Sequence, residues 1–180
     1  MAFLISCETG GHEVPEVWAD RLANHPVSHD PLARRAASEI ADHLCAPLIA
    51  HRYSADLIDV SRSLGHRKSF SPLTKDWDPA DKRMLGEQLH EPYRARIRSA
   101  IKVMLDKTVL VVHLSVRTFD LVQAGKRRRT DVGLLYDPTV DDELDFCLDV
   151  IDEMYETAPM LRVRRNYPRR GTVDSIVRAM

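Results

Sequence analysis

The chain has 180 residues, 44% hydrophobic and 29% charged, which suits one globular domain with a sizeable core and argues against a disordered chain. Its 26 basic and 27 acidic residues leave a formal net charge of −1, which argues against a general nucleic-acid binder. Three scattered cysteines, Cys7, Cys45 and Cys147, have neither zinc-ribbon spacing nor a disulfide framework and suit a reducing cytoplasm. The apolar opening lacks a basic leader and is too short for a signal peptide or a membrane span.

In chain order, Ala2 to Cys7 reads as a buried strand stopped by Gly10-Gly11. Asp30 and Pro31 suit the N-cap and first position of a helix, on which Leu32, Ala36, Ile40 and Leu44 predict one apolar face. Pro47 ends it, and PLIAHRYS predicts the next strand, followed by a second apolar stretch from Leu57 to Val60. Residues 61–78 form a long polar segment containing Ser and Pro, the pattern of an active-site loop or lid. Asp78-Pro79 opens a helical region, broken near Glu91-Pro92 and resuming to about Asp106. TVLVVHLSV is the strongest strand, TDVGLLYD another, and LRVRRN a third; Asp141 to Thr157 predicts an acidic amphipathic helix. The alternation predicts a single α/β domain over residues 1–180, with a mainly parallel mixed sheet between two helical layers. Ligands of such sheets gather at the carboxyl ends of the strands, which here carry Glu8, Asp59 to Arg62, His113 to Arg117 and Asn166.

Those strand ends follow the order of a known family. CETGGHEVP, His29-Asp30, YSADLIDVSR, EPYRARI, VVHLSVRTF, RTDVGLLYDP and RRNYPRRGTVDS together resemble the N-formylglutamate amidohydrolases over nearly the whole chain. The resemblance implies a zinc exopeptidase-like, phosphorylase/hydrolase-like fold. It also implies a zinc-type metal, or another divalent ion, activating water to cleave a C–N amide bond in a small acidic N-acyl amino acid. In that reading Glu8 is a catalytic base or metal ligand, while Asp59, Arg62, Arg129 and Asn166 line the substrate pocket.

The chain departs from the pattern where it matters most. The family's C-E-H-x-G has Thr9 in place of histidine, and its H-[ST]-F has Arg117. Its late tyrosine is Arg169, its late glycine is Ser175, and its last acidic strand has no counterpart before Met180. A rebuilt metal site would draw on Glu8, His12 and His113, with Asp30 or His29 in reserve, His12 swinging inward on the diglycine loop. Side chains 113, 115, 117 and 119 share one strand face, but His113 lies about 13 Å from position 117 along it. Arg117 would repel a divalent cation and instead bind a carboxylate or phosphate.

Each residue also has a plain reading: Asp30 as an N-cap, Asp59–Arg62 as an ion pair, His113 as a core histidine, His12 as a surface histidine, Cys7 as core. Two functions therefore stand: an amidohydrolase, or a catalytically degenerate, metal-free member that binds an anionic ligand at Arg62, Arg117 and Arg129. The expected partner is a small N-acyl amino acid or dicarboxylate, with no nucleic acid and no membrane. A second copy of the chain would cover an open sheet edge. The basic run Lys126 to Arg129 reads as a solvated turn, Arg129 apart.

Overall fold

Strand β1 (Ala2–Cys7) is largely apolar and lies between two parallel neighbours, β2 (Leu48–Ala50) and β3 (Val111–Ser115). The register pairs Cys7 with Ala50 and Ser6 with Ser115, so the carboxyl ends of all three strands finish together. This is a computed structural model, and it describes residues 1–123 and 125–179, with the side chains of Gln123 and Ala179 left aside. Ala124 and Met180 lie outside them. The chain divides into two compact units, one of residues 1–118 with 174–180 and one of residues 119–173.

In the first unit, helices cover both faces of the three-stranded sheet. Helix α1 (Glu16–Leu22), which the sequence pattern did not suggest, buries Trp18 and Leu22 beside Leu4 and Ile49. Helix α2 (Pro31–His43) starts as expected, with Asp30 Oδ1 accepting from Ala33 N at 2.9 Å and Pro31 in the first turn. Its buried face differs from the expected one. Ala33, Ala37 and Ala41 pack on Ile5 and Cys7, while Leu32 is 67% and Leu44 40% exposed. Three alanines at four-residue spacing let the helix backbone approach the sheet more closely than a leucine ridge would.

Helix α3 (Pro79–Leu85) is capped by Asp78, which accepts from Ala80 N and Asp81 N at 2.8 and 2.9 Å. It runs through a π turn (Gly86–His90) into α4 (Glu91–Leu105), so the expected break near Pro92 is bridged. Proline removes one intrahelical donor, and a widened turn is one way a helix absorbs that loss. Tyr93, Ile97 and Leu85 of this run join Leu4, Ile49, Leu57, Ile58 and Val60 in the larger core.

Residues 51–78 hold neither helix nor strand, and the Leu57–Val60 stretch is buried without being one. Its backbone is satisfied by side chains: Thr74 Oγ1 donates to Leu57 O at 2.8 Å and Arg94 Nη1 to Val60 O at 3.3 Å. Ser61, Ser69 and Thr74 are buried hydroxyls, so the polar composition expected of a lid serves the inside of the fold. The final turn (Val177–Ala179) follows Ile176, which is fully buried in the same core.

The second unit contains an antiparallel pair, β4 (Val122–Gln123) with β5 (Lys126–Arg127), and a parallel pair, β6 (Val132–Leu134) with β7 (Val163–Arg165). Helix α5 (Asp141–Thr157) matches its expected bounds and places Asp141, Asp142 and Glu143 in its first turn, where the helix dipole favours them. The strands therefore form three small sheets among the described residues, in place of the one sheet expected. The architecture is mixed α/β with mostly parallel strands. No helix among the described residues is long and apolar enough to cross a membrane.

The alanine face of α2 gives a direct test. Ala37→Leu should overpack the β1 side and cost about 1–3 kcal/mol, whereas Leu32→Ala should stay within about 0.5 kcal/mol of wild type. Urea titrations followed by circular dichroism would separate the two; equal effects would place the buried face elsewhere.

Candidate functional site

Glu8 follows β1 and is 1% exposed. Period-two alternation along β1 turns Leu4, Ser6 and Glu8 toward α4, with Ile5 and Cys7 toward α2. Both carboxylate oxygens are fully engaged. Oε1 accepts from Ser6 Oγ at 2.6 Å and Tyr93 Oη at 3.1 Å, and Oε2 accepts from Ser115 Oγ at 2.6 Å and Arg117 Nη2 at 3.1 Å. Burial would raise the Glu8 pKa, but the Arg117 charge, the Ser115 and Ser6 hydroxyls and His113 outweigh it and leave it below the ordinary value.

His113 belongs to the same network through Ser6, its Nε2 lying 2.8 Å from Ser6 Oγ. An ionised carboxylate only accepts, so the Ser6 proton points to Glu8 and His113 Nε2 must be the donor. The His113 Nδ1 is then a bare acceptor, buried and without a partner. His51, at the end of β2, repeats the arrangement: Nδ1 lies 2.9 Å from Tyr53 O, and buried Nε2 has no partner. Its ring meets that of Tyr93 edge-on at 5.1 Å, and burial pulls its pKa down to about 4. His90 gives Nε2 to Arg62 O at 2.7 Å and also keeps an unpartnered Nδ1. Burial lowers both His113 and His90, which favours neutral rings.

The structure thus brings Glu8, His113 and Arg117 together and adds Ser6, His51, Tyr93 and Ser115. Strand alternation carries the signal for Ser6 and Ser115, and the alignment of strand ends carries it for His51. His12 is not drawn in. A Cβ at Gly11 would lie 2.4 Å from Arg52 C, so the diglycine serves close backbone contact and does not act as a hinge. His12 N donates to Arg52 O at 3.1 Å, and the exposed His12 ring packs on His29 at 5.5 Å. Asp30 is both the α2 cap and a tie to Thr118, whose Oγ1 and N donate to Oδ2 at 2.6 and 3.1 Å.

Asp59 and Arg62 form an ion pair at 2.9 Å, and Asp59 Oδ1 also accepts from Ser61 N and Oγ. The Arg62 carbonyl receives His90 and, at 3.1 Å, buried Arg94, so this pair is built into the wall of the core. In the second unit Arg129 is exposed. Asn166 there has φ +50° and uses its Oδ1 to accept from Gly171 N at 2.7 Å and Tyr136 N at 3.3 Å, which organises its own loop. Two surface clefts of about 360 and 450 Å³, along α4 and beside the π turn, are lined by none of the Glu8 partners.

The residues present do not fit the metal that the resemblance implies. Among the described residues no three His, Cys, Asp or Glu side chains form a group that could hold an ion. Glu8 has no lone pair left over from its four donors, and one of those donors is itself a cation.

Acidification should expose the buried histidines. His51 binds its proton near pH 6.5 when unfolded and near 4 when folded, so stability is complete above 6.5 and falls as pH drops toward 4. The loss from His51 should reach roughly 3 kcal/mol. His51→Asn keeps a donor for Tyr53 O and should flatten the dependence between pH 6.5 and 4, read from denaturant midpoints. A variant with the wild-type slope would exclude His51 as the cause. Below about pH 4.5 the Glu8 network should add a further loss, since its carboxyl protonates first in the unfolded chain.

Among solved structures, the fold is similar to that of the gene product Atu2144 from Agrobacterium tumefaciens. The match has a TM-score of 0.74 and 24% sequence identity, over 93% of this chain and 69% of that one. At that identity the likeness is one of fold. No family model and no curated protein matches the sequence.

Proposed function

We propose that this protein is a catalytically degenerate relative of the N-formylglutamate amidohydrolases, with a zinc exopeptidase-like fold, that binds a small carboxylate-bearing anion through Arg117 without a metal. The observation that carries this reading is the saturation of Glu8: four donors occupy its two oxygens, and the Arg117 guanidinium supplies the positive charge beside it. A metal-dependent amidohydrolase would need Glu8 to give up Arg117 and two further ligands to gather, and an arginine does not acidify a bound water.

What supports anion binding is the position and unused capacity of Arg117. It follows β3 at the carboxyl ends of three parallel strands, where ligands of such sheets gather. Its side chain is 24% exposed and, among the described residues, spends one of five N–H donors on Glu8. The remaining fork suits a carboxylate held bidentately. Arg62, fixed by Asp59 through Nε, is the second candidate of this unit for a dicarboxylate.

The test is calorimetric titration with glutarate and with an N-acyl glutamate, with and without chelator. Binding should be indifferent to chelator, and Arg117→Lys, which keeps the charge but loses the fork, should weaken it tenfold or more. Binding that requires added zinc, or turnover of an N-acyl glutamate, would overturn the reading. Arg117→Met, by leaving Glu8 buried without its counter-charge, should cost about 3–5 kcal/mol of stability. Adding Glu8→Gln to that variant should recover part of the loss.

A further inference from the structure

The second unit separates its charges. Helix α5 carries eight acidic residues and no basic one, while the rest of the unit carries nine Lys and Arg against three acids. A whole-chain net charge of −1 averages over this division and conceals it. The basic residues lie in two stretches, 126–129 and 162–170.

Aromatic rings bring the two stretches together. Phe119 meets Tyr167 edge-on with centroids 5.7 Å apart. The Arg128 guanidinium lies 5.5 Å from the Phe119 ring and 5.4 Å from the Tyr167 ring, and that of Arg164 lies 5.6 Å from Tyr167. Both guanidiniums therefore face one phenol ring, which draws the two basic stretches together. Arg162 is held by Asp131 at 2.9 Å, but Lys126, Arg127, Arg129, Arg164, Arg165 and Arg170 are exposed and in no ion pair among the described residues.

Two features narrow the partner. Eight of the nine cations are arginine, the residue whose planar fork grips phosphate oxygens in pairs. The rings hold the Arg128 and Arg164 guanidiniums in place, which lowers the entropy lost on binding. A lipid surface is the weaker fit. Among the described residues, the large aliphatic side chains exposed on the hairpin are Leu121 and Val122, far less than a single myristoyl chain, and that alone anchors only marginally.

We propose that these two basic stretches of the second unit bind the phosphate backbone of a nucleic acid without reading its bases, independently of the anion site at Glu8. The Phe119 and Tyr167 rings are engaged with each other and with guanidiniums, so recognition runs through phosphates and not through base stacking.

The experiment is fluorescence anisotropy of the full-length protein with a labelled short oligothymidylate and a labelled DNA duplex, across a salt series. Binding to at least one is expected, with affinity falling steeply as salt rises. Arg127→Gln/Arg164→Gln/Arg165→Gln should weaken it at least tenfold and reduce the log–log salt slope by about 2 for the single strand. Lys126→Gln/Arg129→Gln, in the first stretch alone, should weaken it in the same direction. A charge-matched control, Arg96→Gln/Lys102→Gln/Lys107→Gln in the first unit, should bind like wild type, and circular dichroism confirms that each variant is folded. Failure to bind either probe, equal losses in the control, or binding only to phosphatidylserine vesicles would overturn the proposal.

Discussion

A carboxylate withdrawn from water costs several kilocalories per mole unless donors meet its oxygens, and Glu8 imposes that requirement at the carboxyl end of the central strand. The solution draws on the sheet of the first unit and on the helical layer that Glu8 faces. Ser6 comes from β1, Ser115 and Arg117 from β3 and just beyond it, and Tyr93 from α4. The parallel register sets Ser6 opposite Ser115, and so brings Arg117 level with Glu8. Shifting either strand by one residue would turn its donor to the opposite face of the sheet.

The same economy governs the long segment after β2. Ser69, Ser71 and Thr74 face inward, where they satisfy carbonyls that no strand or helix neighbour reaches. Three histidines line this interior, each giving one N–H to an oxygen and keeping the other nitrogen bare, a pattern stable only while the rings are neutral. Around Glu8 the interior is thus rich in polar groups whose protonation states depend on one another. Such a network holds a guanidinium firmly and gives a divalent ion no vacant oxygen.

The second unit follows a different rule. Most of its acids sit on α5, where the first-turn carboxylates gain from the helix dipole, while Arg128 and Arg164 meet over Tyr167. Neutrality of the whole chain is consequently no guide to the field at any one surface. Read as a composition, 26 basic and 27 acidic residues argue against a polyanion partner; read as positions, they leave residues 126–129 and 162–170 rich in arginine.

Much of this was legible in the residues themselves. Local chemistry marked Asp30-Pro31 and Asp78-Pro79 as helix starts, the acidic run as α5, and the β1 and β3 segments as strands, because caps, periodicity and apolar runs act over a few residues. Alternation also put His113, Ser115 and Arg117 on one face. Other features were decided only by tertiary structure. The face α2 buries was set by how closely a helix must approach β1, which favoured alanines over the leucines that periodicity marks. His12 stayed outside because Gly11 is pressed against the backbone of Arg52, a contact between segments some forty residues apart. The full engagement of Glu8 likewise needed donors up to 109 residues away in sequence. Spacing along a chain shows which groups are near in sequence, and only folding determines which of them a buried charge will meet.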